Sequence, residues 1–212
     1  MARKAFVYIH GKGGTASASE YFKPFFSDCD TYGFDYKSEN PWEAKSEFKE
    51  YFTKLSQEYT SITVLASSLG AYFLMISGTG TMIRKAFFVS PIVDMERLIQ
   101  DMMKRADISD EDLKAKSIIP LSEGEVLSWE YLVWVRKHPI VWNVPTHILY
   151  GEKDHFQTID TIKRFSESVD ADLTVMPNGE HWFHTDEQDE FRKKWLNSIL
   201  KSEENAVFKA LG

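Results

Sequence analysis

The sequence predicts an α/β protein: a three-layer α/β/α sandwich built on a mostly parallel sheet of about six strands. Three observations carry this. Short apolar runs rich in β-branched and aromatic residues recur along the chain, each closed by a turn signal and most followed by a segment of helical periodicity. These runs are apolar nearly throughout rather than alternating, the pattern of strands covered by helices on both faces. The 212 residues, 43% of them hydrophobic, are enough to fill one such core but not two.

The elements follow in order. Ala5 to Ile9 reads as the first strand and empties into the loop His10-Gly11-Lys12-Gly13-Gly14. Ser17 to Phe26 reads as a short helix and Thr31 to Tyr36 as a second strand. Beyond Pro41, the residues Trp42, Phe48, Tyr51, Phe52 and Leu55 recur at helical spacing up to Tyr59. Ile62 to Ala66 is a third strand that runs through two serines and Leu69 into a helix ending near Ile76. Lys85 to Val89, Pro145 to Tyr150 and Asp172 to Met176 are three more strands, stopped by Ser90-Pro91, Gly151 and Pro177-Asn178-Gly179. Helices are expected over Thr158 to Val169 and Asp186 to Leu200, the latter acidic at its start and basic further on, as the helix dipole favours.

One interval breaks the alternation. Asp94 to Asn143 shows no strand signal but carries a helical stripe of Met95, Leu98, Ile99, Met102 and Met103. It also carries a capped helix start at Ser109 and an aromatic helix over Ser128 to Lys137. The chain is therefore read as one domain, residues 1–212, with a helical cap insertion at about 94–143. An insertion after the fourth strand would cover the sheet edge where ligands enter, with Trp129 and Trp134 as candidates to line the pocket.

Composition narrows the function classes. Twenty-five Lys and Arg against 32 Asp and Glu give a net charge of −7, with both signs interspersed, so no nucleic-acid partner is expected. The one cysteine, Cys29, makes neither an internal disulfide nor a cysteine metal centre, and its Asp28 and Asp30 neighbours disfavour a thiolate. The first apolar run is too short for a signal peptide and no window suits a membrane span, so a cytoplasmic chain without a membrane partner is expected. Val207, Phe208 and Leu211 near the C-terminus could form a docking tail. Oligomeric state is left open.

The chemistry-bearing residues stand at strand ends. Between the third strand and its helix, Ala66 and Gly70 bracket Ser68 at the spacing of a G-x-S-x-G nucleophile elbow, where strand and helix backbones nearly touch. Ser67 lacks that bracket. His10-Gly11 follows the first strand, Gly151-Glu152-Lys153-Asp154 the fifth, and Asn178-Gly179-Glu180-His181-Trp182-Phe183 the last. Neither G-x-x-x-x-G-K-[ST] nor G-x-G-x-x-G is present, which argues against a nucleotide site. His184 is the rival base. A metal site of His181, His184 and Asp186 lacks the helical H-E-x-x-H spacing, so no metal and no cofactor are expected.

Taken together these motifs resemble the α/β-hydrolase superfamily in a compact form, with alanine at the first elbow glycine and glutamate before the histidine. The resemblance covers essentially the whole chain. It implies Ser68 as nucleophile, His181 as general base and Asp154 as the acid that orients it, in the family's order. It also implies first and third strands as neighbours, so that the N–H groups of Lys12 (alternatively Gly13) and Leu69 form an oxyanion hole beside His10 and Gly11. The expected activity is hydrolysis of a small-molecule carboxylic ester or related acyl bond through an acyl-enzyme. A thioesterase or amidase would use the same triad, and a non-catalytic binding module would keep only the pocket.

Overall fold

A computed structural model describes residues 3–121 and 124–211. Six strands form one sheet: β1 Lys4–Ile9, β2 Asp30–Phe34, β3 Ser61–Ser67, β4 Lys85–Val89, β7 Thr146–Gly151 and β8 Asp172–Met176. Two short strands between β4 and β7, β5 Ile118–Pro120 and β6 Val126–Ser128, pair separately. The order in the large sheet is β2-β1-β3-β4-β7-β8 and every neighbouring pair is parallel. Strand β1 lies between β2 and β3, and the chain crosses from one side of β1 to the other there, which opens a crevice at the strand C-termini.

Successive strand residues feed two cores. Ala5, Val7 and Ile9 of β1, Val64 and Ala66 of β3 and Phe88 of β4 face one layer. Phe6, Tyr8, Leu65, Phe87 and Leu149 face the other. The inner strands β1, β3, β4 and β7 must therefore be apolar on both sides, which is why their sequence runs are nearly continuous, whereas the edge strands β2 and β8 are only partly buried.

The first layer holds α2 Pro41–Glu58, α3 Ser68–Ile76 and α7 Ile159–Ser168. Helix α2 starts sharply because Asn40 accepts from the Glu43 N–H and Pro41 occupies the first turn. Helix α8, Asp186–Leu211, packs Trp195 and Leu196 into the second core and runs well beyond the expected Leu200. The side chains of Val207, Phe208 and Leu211 lie outside the described residues. No helix among the described residues is long and apolar enough to cross a membrane.

Two expectations need correction. Ser17 to Phe26 is not one helix: α1 spans Ser19–Phe22 only, with single 3-10 turns at Ala16–Ala18 and Lys23–Phe26. Pro24 supplies no N–H to continue an α-helix. The interval 94–143 is also not purely helical. Besides α4 Met95–Arg105, α5 Asp110–Lys116 and α6 Trp129–Lys137, it holds the antiparallel pair of β5 and β6. Three-residue strands, one of them ending in proline, are too short to display a period of two.

Cys29 is half-buried against the second core, and burial followed by the Asp28 carboxylate pushes its thiol up to about 12. Only the thiolate alkylates, so at pH 8 iodoacetamide should modify the folded protein at least ~10-fold more slowly than the urea-unfolded chain. Equal rates would contradict this environment. The folded thiol also holds its proton above 9.0, where the unfolded thiol loses it, so native stability should decline as pH rises from 9.0 toward 12.

Candidate active site

The turn between β3 and α3 presents Ser68. Its φ of +49° lies in the left-handed region, costly for a residue with a side chain, and it throws the hydroxyl out of the sheet edge. Small neighbours make this turn possible. A Cβ on Gly11 would stand 3.0 Å from the Ser68 Cβ, and one on Gly70 would stand 2.2 Å from the His10 carbonyl oxygen. Ser67 ends β3 and is the residue preceding α3, so it lacks the exposed apex position.

Three residues separated by 86 and 27 positions then converge in a hydrogen-bonded chain. His181 Nδ1 donates to Asp154 Oδ2 at 2.6 Å, and the Ser68 hydroxyl donates to His181 Nε2 at 2.8 Å. The direction follows from the chemistry: a carboxylate only accepts, so Nδ1 carries the proton and Nε2 offers its lone pair to serine. The His181 and Asp154 side chains are each 1% exposed, which keeps water from competing for either.

The loops that carry these side chains are stitched together. Lys153 N–H donates to the Gly179 carbonyl at 2.8 Å and Glu152 N–H to the Met176 carbonyl at 3.0 Å. The Glu152 carboxylate in turn accepts from the Asn178 N–H. Gly151 is required here, because a Cβ would sit 2.5 Å from the Gly179 carbonyl oxygen. Asp154 Oδ1 accepts from the Phe156 N–H at 2.8 Å and the Gln157 N–H at 3.4 Å, fixing the carboxylate plane. Tyr150 donates its hydroxyl to the Gln157 carbonyl, and burial followed by the Asp154 charge pushes that phenol up to about 12.

Leu69 directly follows the serine, and Lys12 follows Gly11, whose backbone packs against Ser68. Leu69 is the second residue of α3, where a helix N–H has no partner of its own and the helix dipole is positive. The Lys12 N–H has no carbonyl partner among the described residues. The Lys12 ammonium instead pairs with Glu125 at 2.6 Å, tying this loop to the turn between β5 and β6. Gly13 has a φ of +73°, and His10 is buried beneath the loop.

Other expectations fare differently. His184 is exposed and paired with Glu180 at 3.5 Å, so the rival base is turned away from serine. Trp129, Tyr131 and Trp134 of α6 all pack partly buried against the first core, with Trp134 stacked on His138 and the Tyr131 phenol near those of Tyr36 and Tyr72.

Sequence reasoning missed Phe156 and Gln157. The Phe156 ring lies 4.5 Å from that of His181, and the half-exposed Trp182 packs edge-on against both. Gln157 accepts from the Val93 and Asp94 N–H groups and donates to the Asp94 carbonyl, joining the Asp154 loop to the start of the insertion. Its position three residues after Asp154 was the only available signal.

Two surface cavities, of about 570 Å³ beside Trp42 and about 320 Å³ beside Trp195, contain none of the three converging residues.

This architecture is the α/β-hydrolase fold, and the solved structures it resembles are α/β hydrolases, esterases and lipases. Est1E from Butyrivibrio proteoclasticus superposes with a TM-score of 0.67 over 99% of this chain and 88% of its own, at 12% identity. Mouse alpha/beta hydrolase domain-containing protein 10 gives 0.66 over 97% and 90%, at 14% identity. The monoacylglycerol lipase of Paleococcus ferrophilus gives 0.62 over 92% and 93%, also at 14%. Est1E has also been solved with ferulic acid bound. No family model matches the sequence, nor does any curated protein sequence.

Proposed function

We propose that the protein is a serine hydrolase that cleaves a carboxylic ester, or a related acyl bond, of a small molecule through an acyl-enzyme. The observation that carries this reading is the unbroken chain from the Ser68 hydroxyl through His181 to buried Asp154. A serine hydroxyl is a weak nucleophile at neutral pH and needs a base within hydrogen-bond reach, which His181 Nε2 supplies. As Ser68 Oγ attacks the carbonyl carbon, His181 takes its proton and Asp154 stabilises the resulting imidazolium. The carbonyl oxygen becomes an oxyanion held by the N–H groups of Lys12 and Leu69. Each such donor is typically worth on the order of 3 kcal/mol in the barrier. His181 then protonates the departing alcohol, and water reverses the sequence to free the acid.

The segment 94–143 acts as the cap of this site, anchored to the acid loop through Gln157. Ferulic acid, found on Est1E, is a carboxylic acid of the kind that ester cleavage releases, which supports a small acyl substrate here.

The test is intact mass after incubation with a fluorophosphonate. One adduct is expected on wild type and on Ser67→Ala, and none on Ser68→Ala. A folded wild-type protein that takes up no adduct would point instead to a non-catalytic binding module.

A further inference from the structure

Beside the elbow stands a second set of polar groups that neither the triad nor the oxyanion donors use. His10 is 8% exposed, and its ring stacks on Tyr36 with centroids 4.4 Å apart. Its Nδ1 lies 2.9 Å from the Gly11 carbonyl oxygen. A carbonyl only accepts, so Nδ1 carries the proton and Nε2 presents a bare lone pair. That lone pair is buried and has no partner among the described residues. The Tyr72 hydroxyl is in the same condition, buried and partnerless, on a side chain 1% exposed. Burial drives its pKa upward, so it stays a neutral phenol able both to donate and to accept.

Buried polar atoms are normally paired, so His10 Nε2 and Tyr72 Oη, two of the five such unpartnered atoms among the described residues, need a physical cause. Both adjoin the reacting serine. His10 precedes Gly11, whose backbone packs against Ser68. Tyr72 lies one helical turn beyond Ser68 on α3, hence on the same helix face. Tyr131 of α6 closes the group from the insertion: burial first, then the Tyr72 and Tyr36 phenols, hold its hydroxyl protonated.

Sheet order assigns this group to one half of the substrate. His181 follows β8, on the β4 side of Ser68, while His10 follows β1 on the opposite side. A leaving group must reach His181 Nε2 to collect its proton. With the carbonyl oxygen on the Lys12 and Leu69 N–H groups and the leaving group toward His181, the acyl group takes the remaining direction, over α3 toward Tyr72 and the His10 ring.

We infer that this acyl pocket is built for a hydroxylated acyl group, whose hydroxyl proton is donated to His10 Nε2 and whose oxygen accepts from Tyr72. The inference rests on the Ser68 hydrolase reading and adds the substrate class to it. An ester without the hydroxyl leaves both groups as unpaired as they are in the free protein and forfeits two hydrogen bonds. Sites that hydrogen-bond a substrate hydroxyl discriminate strongly against analogues lacking it.

The experiment compares matched p-nitrophenyl esters, butyrate with 3-hydroxybutyrate and benzoate with 4-hydroxybenzoate, so that the leaving group is constant. Each kcat/KM is divided by that ester's rate with hydroxide, which removes intrinsic reactivity. The hydroxylated member of at least one pair should be favoured by about 10-fold or more. That ratio should fall toward one in Tyr72→Phe, which keeps the ring, and in His10→Phe, which keeps the stack on Tyr36. A wild-type ratio of one in both pairs, as for a pocket that only holds an ordered water, overturns the inference. In that case a fluorophosphonate adduct on Ser68 leaves the hydrolase reading standing. A preference that survives both substitutions overturns it as well. No adduct and no turnover of any ester would remove the hydrolase reading, and the acyl pocket with it.

Discussion

Asp154→Asn should lower kcat on a chromogenic ester by about 10⁴-fold while the protein still unfolds cooperatively. The size of the effect follows from which atoms Asp154 satisfies. Oδ1 accepts from the Phe156 and Gln157 N–H groups, and Oδ2 accepts from His181 Nδ1. An asparagine has one oxygen for these three donors. If the oxygen stays with the two backbone groups, the amide NH₂ faces His181 Nδ1, which must then be bare. The ring proton moves to Nε2, the atom that faces Ser68, and histidine becomes a donor where a base is needed. Volume and backbone contacts are kept, so a circular-dichroism melt should shift by only a few degrees. Initial rates on p-nitrophenyl acetate decide the matter. Activity within 10-fold of wild type would remove Asp154 from the chemistry.

The inner strands were legible in the sequence because they are buried on both faces, and an apolar run as short as Ala86-Phe87-Phe88-Val89 suits few structures besides a covered strand. The positions of Ser68, Asp154 and His181 were legible as strand ends because glycine stands near each, and the steric need for Gly70, Gly151 and Gly179 is visible in the contacts a Cβ would make. What was not legible depends on contacts across distant segments. Gln157 meets Val93 and Asp94 at separations of 64 and 63 residues, and no periodicity encodes such a meeting. Tyr131 and Trp134 lie one turn apart on α6, and only its packing beside α2 and α4 decides that Tyr131 meets Trp42 while Trp134 stacks on His138. The β5–β6 pair was hidden by its length, and the broken helix before β2 by Pro24, which a helical stripe alone does not weigh.

Gly70→Ala should cost about 2–3 kcal/mol of stability and most of the activity together. The added methyl would lie 2.2 Å from the His10 carbonyl oxygen, 2.9 Å from Ile9 Cγ2 and 3.1 Å from the His10 carbonyl carbon. Two of these atoms are backbone and cannot rotate away. The His10 carbonyl also accepts from the Tyr36 hydroxyl at 3.0 Å, and β1 is held between β2 and β3 on both sides. The strand is the fixed party, so α3 must lift from β1. Ser68 and the Leu69 N–H ride on the first turn of α3, so the same displacement pulls the Ser68 hydroxyl from His181 and shifts the proposed oxyanion donor with it. Gly80→Ala serves as the control: its only neighbour within 4 Å is Val144 Cγ2 at 3.3 Å, and stability should change by less than about 1 kcal/mol. Urea unfolding and ester hydrolysis measured on both variants give the comparison. A Gly70→Ala protein with a wild-type urea midpoint and rate would mean that the elbow and β1 are not in contact. By contrast Ala66, at the first small position, already carries its methyl and is fully buried, so the tight approach at this elbow is between α3 and β1. The steric demand that a glycine usually meets at that first position is absent here, and it falls on Gly70 and, across from Ser68, on Gly11.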